Sequence, residues 1–391
     1  MRILLTTDMY KPTINGVITS TTTLKKALEA RGHDVRVLTL GKKSRIDVSE
    51  DTYYFSSLGV EKIYPGARFT IKSDHDYLKD IIAWQPEVVH SQTEFSTLYI
   101  AKKISKHLDI PIIHTYHTLY EDYTHYFSPS EVVGKKVVKS ISRMLLNTMD
   151  VVIAPTEKVG NLLEGYHIDT PVSVIPTGIE LSHFFNHTYD DIRQKQLRNE
   201  LGIPTDVKVL LYVGRLAREK NIGEILTYLG QIKPEVDYRF VIVGDGPYRE
   251  TLQNMVIKNN LVERVVFTGM IENEKIADYY KLGDVFTSAS TSETQGLTYI
   301  EAFASHSPGL CRHDEVLSHI LQNGVTGYQY NNRDEFEQYF NELMQNDNLR
   351  ENLGENAQQL AIETYSSHKF GELVESVYQK AIEERFVYAN N

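Results

Sequence analysis

The sequence predicts an α/β protein made of two parallel-sheet halves. Three observations carry that reading. The chain has 391 residues, more than one usual hydrophobic core absorbs. Short, continuous apolar runs alternate with amphipathic stretches of helical period, as expected for strands covered on both faces. Finally, the alternation stops in a polar stretch near the middle of the chain and then restarts.

In the first half, Arg2–Thr7, Asp34–Leu40, Glu87–Ser91, Pro111–Thr115, Val151–Ala154 and Val172–Ile175 read as buried strands. Between them, Val17–Ala30, Phe95–His107, Glu131–Thr148 and Glu157–Glu164 read as helices. Ile175-Pro-Thr-Gly-Ile179 closes this half, and the polar segment from Phe184 to Asp206 reads as linker plus a short helix. The second half opens at Val207–Val213 and continues with strands at Arg239–Val243, Val265–Thr268 and Val285–Ser288, each followed by a helix. From about Glu335 the chain is mostly helical. The expected domains are therefore 1–183, a linker at 184–206, a second domain at 207–369, and a last helix at 370–391. Each domain is Rossmann-like, with ligands expected in a cleft at the C-terminal ends of the strands.

Composition removes several function classes. The single Cys311 excludes an internal disulfide framework and suits a reducing compartment. No apolar run approaches the ~20 residues of a membrane span, and the opening residues lack the pattern of a secretory leader. On that expectation the Asn186-His-Thr188 sequon is coincidental, and the protein is cytoplasmic. The net charge of −11 is uneven: residues 1–185 hold 21 basic and 21 acidic side chains, residues 186–391 hold 20 and 31. The first half is thus the one suited to an anionic surface, and no long basic stripe supports nucleic-acid binding.

Four loops carry candidate chemistry. Thr7-Asp8-Met-Tyr-Lys-Pro-Thr-Ile-Asn15-Gly16-Val17 joins the first strand to the first helix, where Gly16 lets backbone approach a ligand and the helix N-terminus favours an anion. Val213-Gly214-Arg215-Leu-Ala-Arg-Glu-Lys220-Asn221 presents two cations after the first strand of the second half. Arg grips phosphate with two parallel bonds and Lys acts as a point charge. Val243-Gly244-Asp245-Gly246-Pro247 is a similar turn; its glycines serve either the turn itself or the approach of a nucleotide. The fourth is Ser292-Glu293-Thr-Gln-Gly296-Leu297-Thr-Tyr-Ile-Glu301, a loop entering a helix, with two glutamates separated by seven residues. Cations followed by spaced carboxylates suit a nucleotide-sugar: the cations hold the diphosphate and the carboxylates read hydroxyls.

Other features are less committal. His114-Thr-Tyr-His117 ends a strand, and either histidine reads as a sugar contact or as a satisfied structural residue. Asp74-His-Asp76 has the spelling of a metal-binding pair but sits in a polar stretch, so no metal and no cofactor beyond a nucleotide-sugar co-substrate is expected. In Glu131–Thr148, Lys135, Lys136, Lys139 and Arg143 share one face of a helix, opposite Val133, Val137, Val138, Ile141, Met144 and Leu145. That pattern fits a core-packed surface helix or a docking helix for anionic lipid.

With these residues assembled, the chain resembles the retaining family 4 glycosyltransferases of GT-B fold, closest to the Gram-positive bacterial diacylglycerol glycosyltransferases. The phrases that carry the resemblance are His90-Ser-Gln-Thr-Glu-Phe95, His114-Thr-Tyr-His-Thr-Leu-Tyr-Glu-Asp-Tyr123, Ile175-Pro-Thr-Gly-Ile-Glu180, Phe267-Thr-Gly-Met270 and Ser288-Ala-Ser-Thr-Ser-Glu-Thr-Gln-Gly-Leu-Thr-Tyr299. The resemblance implies that Gly16 contacts the donor diphosphate and that Arg215 and Lys220 neutralise its charge as it leaves. It implies that Glu293 and the Gly296–Leu297 backbone hold the donor sugar, that Glu301 holds the ribose, and that His117 lies near the transferred sugar. Gly244 belongs to the same nucleotide-binding set. The last helix, about Phe370–Arg385, is expected to return to the first domain. The implied reaction moves a hexose, glucose from UDP-glucose, to diacylglycerol or a glycosyl-diacylglycerol, with the protein held peripherally on the inner face of the cell membrane. A soluble sugar, polyol or protein acceptor is the alternative. So is a partner subunit of impaired activity, because Ala304-Ser-His306-Ser-Pro-Gly309 departs from the Ala-Ser-Gly-Thr-Pro-Val usual in the family.

Overall fold

The computed structural model describes residues 1–11, 15–59, 68–70, 72, 77–118, 121, 131–185, 191–272, 274–290, 296–314 and 317–389. They form two compact units: 1–179 with 367–391, and 180–366.

The first unit runs β1 (Arg2–Thr6), α1 (Gly16–Ala30), β2 (Asp34–Gly41), β3 (Arg45–Asp47), β4 (Thr52–Ser56), β5 (Leu58–Gly59) and β6 (Arg68–Phe69). It continues through α2 (Leu78–Trp84), β7 (Val88–Ser91), α3 (Ser96–Leu108), β8 (Ile112–Thr115), α4 (Glu131–Leu146), β9 (Val151–Ala154), α5 (Glu157–Tyr166) and β10 (Val172–Val174). Eight strands form one sheet in the order β10-β9-β8-β7-β1-β2-β4-β3, parallel except for the edge strand β3. Successive side chains of β1 face opposite ways, and both sides are buried. Leu4 joins the core made with α2 to α5, while Ile3 and Leu5 join the core under α1. That two-sided burial is why these strands read as unbroken apolar runs.

The second unit holds α6 (Ser182–Phe185), α7 (Asp191–Glu200), β11 (Lys208–Val213), α8 (Ile222–Gln231), β12 (Tyr238–Val243), α9 (Arg249–Lys258), β13 (Val265–Gly269) and α10 (Ile276–Leu282). It ends with β14 (Val285–Ser288), α11 (Leu297–Ala304), β15 (Gly309–Arg312), β16 (Gly327–Tyr330), α12 (Arg333–Gln345) and α13 (Asp347–Leu360), which runs into a π turn at Ala361–Tyr365. Its six parallel strands lie in the order β13-β12-β11-β14-β15-β16. The segment 184–206, read as linker plus a short helix, includes α7. This helix belongs to the second unit and is tied to α10 through Asp278, which accepts from Arg193 Nε at 3.1 Å and, at its backbone oxygen, from Gln194 Nε2 at 3.0 Å.

Helix α14 (Ser367–Ala389) returns to the first unit. Phe370, Val374, Tyr378 and Ala381 pack with Ile18, Leu24 and Leu28 of α1 in one buried cluster. Each Phe, Val, Leu or Ile among them contributes roughly 1.5–3 kcal/mol when fully removed from water. Gly178 lies where the helix begins: a β-carbon there would sit 2.5 Å from Phe370 Cβ and 2.9 Å from Ser367 Cα. Only glycine permits that approach.

Candidate functional site

Both sheets place the candidate residues by the same rule. In each, the first strand lies beside the fourth parallel strand, and the chain winds outward from that pair in both directions. In open α/β sheets such a reversal of strand order marks the position where ligands bind, at the C-terminal ends of the pair. In the second unit the pair is β11 and β14. Gly214 follows β11, and the stretch leading to Gly296 follows β14.

Around β11 the loop is closely built. Gly214 N–H donates to Val243 O at 3.0 Å, Leu216 N–H to Asp245 O at 2.9 Å, and Tyr248 N–H to Leu216 O at 2.9 Å. The turn after β12 is thereby stacked on the turn after β11. A β-carbon at Gly244 (φ +130°) would lie 2.0 Å from Gly214 O, and one at Gly246 would lie 2.4 Å from Leu216 O. Glycine at 244 is required by this stacking, whatever else the residue does. Arg215 is exposed and paired with Glu219, so an incoming anion would share the guanidinium with that carboxylate. Lys220 closes a single 3₁₀ turn, and Asn221 follows it in the left-handed region at φ +50°.

Helix α11 starts at Leu297, after Gly296 in the left-handed conformation (φ +66°). Glu301, one turn in, is largely enclosed. Its Oε2 accepts from Tyr280 Oη at 2.6 Å. Burial raises the carboxyl's pKa, and the phenol's hydrogen bond works against that rise. Tyr280 itself is fully buried and packs edge-to-face against Phe184, with ring centroids 5.5 Å apart. Nothing in the spacing of the glutamates announces Tyr280, which reaches Glu301 from α10. Glu293, with Thr294 and Gln295, lies outside the described residues.

The loop departing from the family's usual spelling keeps a glycine-like backbone. His306 has φ +69°, and its carbonyl and ring lie against Gly354, where an added β-carbon would come within 2.5 Å of His306 O. Gly309, in β15, is backed by Leu321 and Phe303.

In the first unit the corresponding pair is β1 and β7. Asp8, just past β1, is buried. It accepts from Thr93 Oγ1 at 2.6 Å and from the Thr97 N–H at 2.9 Å. It thus serves as a carboxylate cap for α3, which lacks a side-chain cap of its own. Burial nevertheless holds its pKa above the usual aspartate value. Asn15 caps α1 by accepting from Ile18 N–H at 2.9 Å, and next to it Gly16 has open space where a side chain would stand.

Three histidines gather at the ends of β7 and β8. His90 bonds Tyr378 Oη of α14 and Thr115 Oγ1, both at 2.7 Å. His114 Nε2 lies 3.3 Å from Glu94 Oε1, and His117 Nε2 lies 2.8 Å from Gln92 Oε1. His114 is completely buried, with its Nδ1 left without a hydrogen-bond partner among the described residues. His117 keeps some accessible surface, but dense protein around it lowers its pKa to about 4, against the pull of Glu94. It is neutral at physiological pH and able to exchange hydrogen bonds with a hydroxyl. In the adjoining aromatic loop Glu121 is engaged, accepting from Tyr166 Oη at 2.8 Å. Tyr120, Asp122, Tyr123, His125 and Tyr126 lie outside the described residues. Asp74 and Asp76 do too, and among the described residues no group of three His, Cys, Asp or Glu is placed to hold a metal ion.

Helix α4 corrects the expected division of its faces. Gly134, Val138, Ser142 and Leu146 turn inward at four-residue spacing. Val133, Val137, Ile141 and Met144 are exposed, although the periodicity grouped them with Val138 and Leu145. The inner face is centred on Val138 and Leu146, which join the buried cluster, with small Gly134 and Ser142 beside them; Ser142 Oγ lies 3.2 Å from Tyr116 Oη. Lys136 and Arg143 border the exposed apolar stripe. Lys135 is half-buried, and Lys139 is drawn to Gly165 O at 2.6 Å. Among the described residues no helix is long and apolar enough to cross a membrane.

A cavity of about 340 Å³ lies on the α8–α9 side of the second unit, with Arg218, Asn221, Glu224, Tyr228, Tyr248 and Met255 in its lining. None of the candidate residues lines it.

Comparison with known proteins joins these geometries. Residues 14–183 match the family described as Glycosyltransferase Family 4, and residues 193–360 match Glycosyl transferases group 1. The chain is 39% identical over 332 residues to the alpha-monoglucosyldiacylglycerol synthase of Streptococcus pneumoniae, covering 84% of this chain and 75% of that one. It is 30% identical to the enzyme of the same name from Acholeplasma laidlawii, over 98% of both chains. The crystal structure of Anabaena HepE in complex with UDP superimposes with a TM-score of 0.69 over 97% of this chain and all of that one, at 16% identity. Two Rossmann-like units, the returning last helix and these matches agree: the chain belongs to the family 4 glycosyltransferases and has their GT-B fold.

Proposed function

We propose that the protein transfers glucose from UDP-glucose to diacylglycerol, or to a glycosyl-diacylglycerol, with retention at the anomeric carbon and at the surface of an anionic membrane. The observation that carries this reading is the near full-length likeness to a chain named alpha-monoglucosyldiacylglycerol synthase. The exposed stripe of α4 adds physical support for a lipid acceptor, since Val133, Val137, Ile141 and Met144 bordered by Lys136 and Arg143 suit insertion beside anionic headgroups. On this reading the protein sits peripherally on the inner leaflet, with Lys135 and Lys139 adding to the same positive field.

On this reading the second unit holds the donor. Arg215 and Lys220 take the diphosphate and stabilise its charge as the glycosidic oxygen departs. Glu293 and the Gly296–Leu297 backbone hold the sugar, and Glu301, fixed by Tyr280, takes the ribose hydroxyls. Gly244 keeps the nucleotide loop close to the strand ends. In the first unit Gly16 leaves room for phosphate at the start of α1, and neutral His117 contacts the transferred hexose.

The test is transfer from labelled UDP-glucose to diacylglycerol in phosphatidylglycerol vesicles, with the product's anomeric configuration read by NMR. An α-linked glucolipid is expected, with turnover falling by orders of magnitude in Lys220→Ala and Glu293→Ala. Absence of lipid product, with transfer to a soluble polyol instead, would replace the acceptor. Near-normal turnover in either variant would remove that residue from the mechanism.

A further inference from the structure

A second apolar surface lies beside the site and is not part of α4. Helix α3 turns Leu98, Ala101, Ile104 and Ser105 inward and leaves one outward stripe at spacings of four, four and three. That stripe reads Phe95, Tyr99, Lys103, Lys106. Phe95 and Tyr99 are 60% and 51% exposed. The antiparallel pair β5–β6 sets Leu58 opposite Phe69, and these are 77% and 46% exposed. Thr70 N–H donates to Ser96 Oγ at 3.0 Å, which ties the β6 end to the first turn of α3. Four large apolar side chains are therefore gathered in one region, whereas single exposed ones scattered over a surface would call for no explanation.

Charge and position say what this surface meets. α3 carries Lys102, Lys103, Lys106 and His107 and no acidic residue. Lys103 Nζ lies 4.6 Å from the centre of the Tyr99 ring, so the cation borders the aromatics. Phe95 directly follows Glu94, the partner of His114, so the aromatic end lies at the strand ends where the histidines gather. The lysine end lies one to two turns farther along the helix. A stripe that is apolar near the site and cationic away from it matches a bilayer, with chains at one level and phosphates at the next.

We infer that Phe69, Phe95 and Tyr99, with Lys103 and Lys106, form an acyl-chain-facing surface that receives the lipid acceptor from an anionic bilayer. This rests on the diacylglycerol reading above. It assigns entry of the acceptor to α3 and β5–β6, in addition to the anchoring attributed to α4. All these side chains are exposed, so replacing them leaves the core intact.

The experiment uses the full chain and a Phe95→Ser/Tyr99→Ser variant, with phosphatidylglycerol–phosphatidylcholine vesicles carrying dioleoylglycerol. The variant is expected to lose vesicle retention by on the order of tenfold or more, and its KM for dioleoylglycerol should rise. Its kcat on short-chain dioctanoylglycerol and its thermal shift with UDP should stay as in the parent chain. A Phe95→Trp probe in a Trp84→Phe background reads contact without removing it, and brominated lipid should quench its fluorescence. Wild-type retention and KM in the double variant, or an unquenched probe, would overturn the surface while leaving the acceptor intact. Failure of the parent chain itself to glucosylate any diacylglycerol would sink the acceptor reading and this surface together.

Discussion

Replacing Gly244 with alanine tests whether the second unit's nucleotide loop is built as described. The new β-carbon would fall 2.0 Å from Gly214 O, a backbone atom, at a φ of +130°. Neither loop can move away freely: Gly214 N–H is bonded to Val243 O at 3.0 Å and Gly244 N–H to Gly269 O at 2.9 Å. Holding a side chain at such a φ costs about 1–3 kcal/mol. Forcing a methyl into filled space costs about 1–3 kcal/mol more. A loss of about 4 kcal/mol in a unit the length of 180–366 lowers its melting temperature by roughly 10 °C. Differential scanning calorimetry of the parent chain and the variant, with and without UDP, measures this directly. A variant that melts within 2 °C of the parent yet binds UDP weakly would refute the reasoning, because the glycine would then serve the ligand and not the stacking of loops.

Three further outcomes are expected. His117 has a folded pKa of about 4 against the ordinary histidine value of 6.5, so its contribution to stability is complete above pH 6.5 and is lost as pH falls toward 4. The loss amounts to at most about 3 kcal/mol, and urea midpoints at pH 7 and pH 5 should show a smaller drop in His117→Gln than in the parent. Tyr280→Phe removes the 2.6 Å bond that positions Glu301, so KM for UDP-glucose should rise on the order of tenfold with a smaller change in kcat; steady-state kinetics decides it. His306→Gly relieves a left-handed backbone that costs a side chain about 1–2 kcal/mol, so the variant should melt a few degrees higher in a thermal scan.

The fold was legible because its strands are buried on both faces. Runs such as Val151–Ala154 and Val209–Val213 have no polar alternation to confuse with surface strands, and the helices between them keep a clear inner face. The returning helix came from a resemblance, since nothing in the composition of Ser367–Ala389 names its partner. Its ties, Tyr378 to His90 at 2.7 Å and Phe370 against Gly178, join residues far apart in sequence. The chemistry-bearing loops were legible for the same reason as the strands: Gly214, Gly244 and Gly296 each sit where a strand ends or a helix begins. Less legible was which of them a ligand requires. Gly244 looks in the sequence like a nucleotide contact or a turn residue, and the clash with Gly214 O gives it a structural task that spacing cannot reveal.

The same limit governs α4, and there it bears on the acceptor. At 100° per residue its apolar residues fall on one arc, and periodicity assumes that the centre of that arc faces the core. The assumption fails when small residues occupy part of the buried face. Here the buried arc runs through Gly134, Val138, Ser142 and Leu146, which leaves Val133, Val137, Ile141 and Met144 in contact with water. An exposed stripe of that kind is unfavourable for a protein surrounded only by solvent, and an apolar partner removes the penalty. The exposed stripe of α4 is thus the physical reason to look for a bilayer on the side of the first unit that carries α3 and α4. Replacing Val137 and Ile141 with serine should loosen vesicle retention and leave thermal stability nearly unchanged. Were the helix packed as its periodicity suggested, the same changes would destabilise the core.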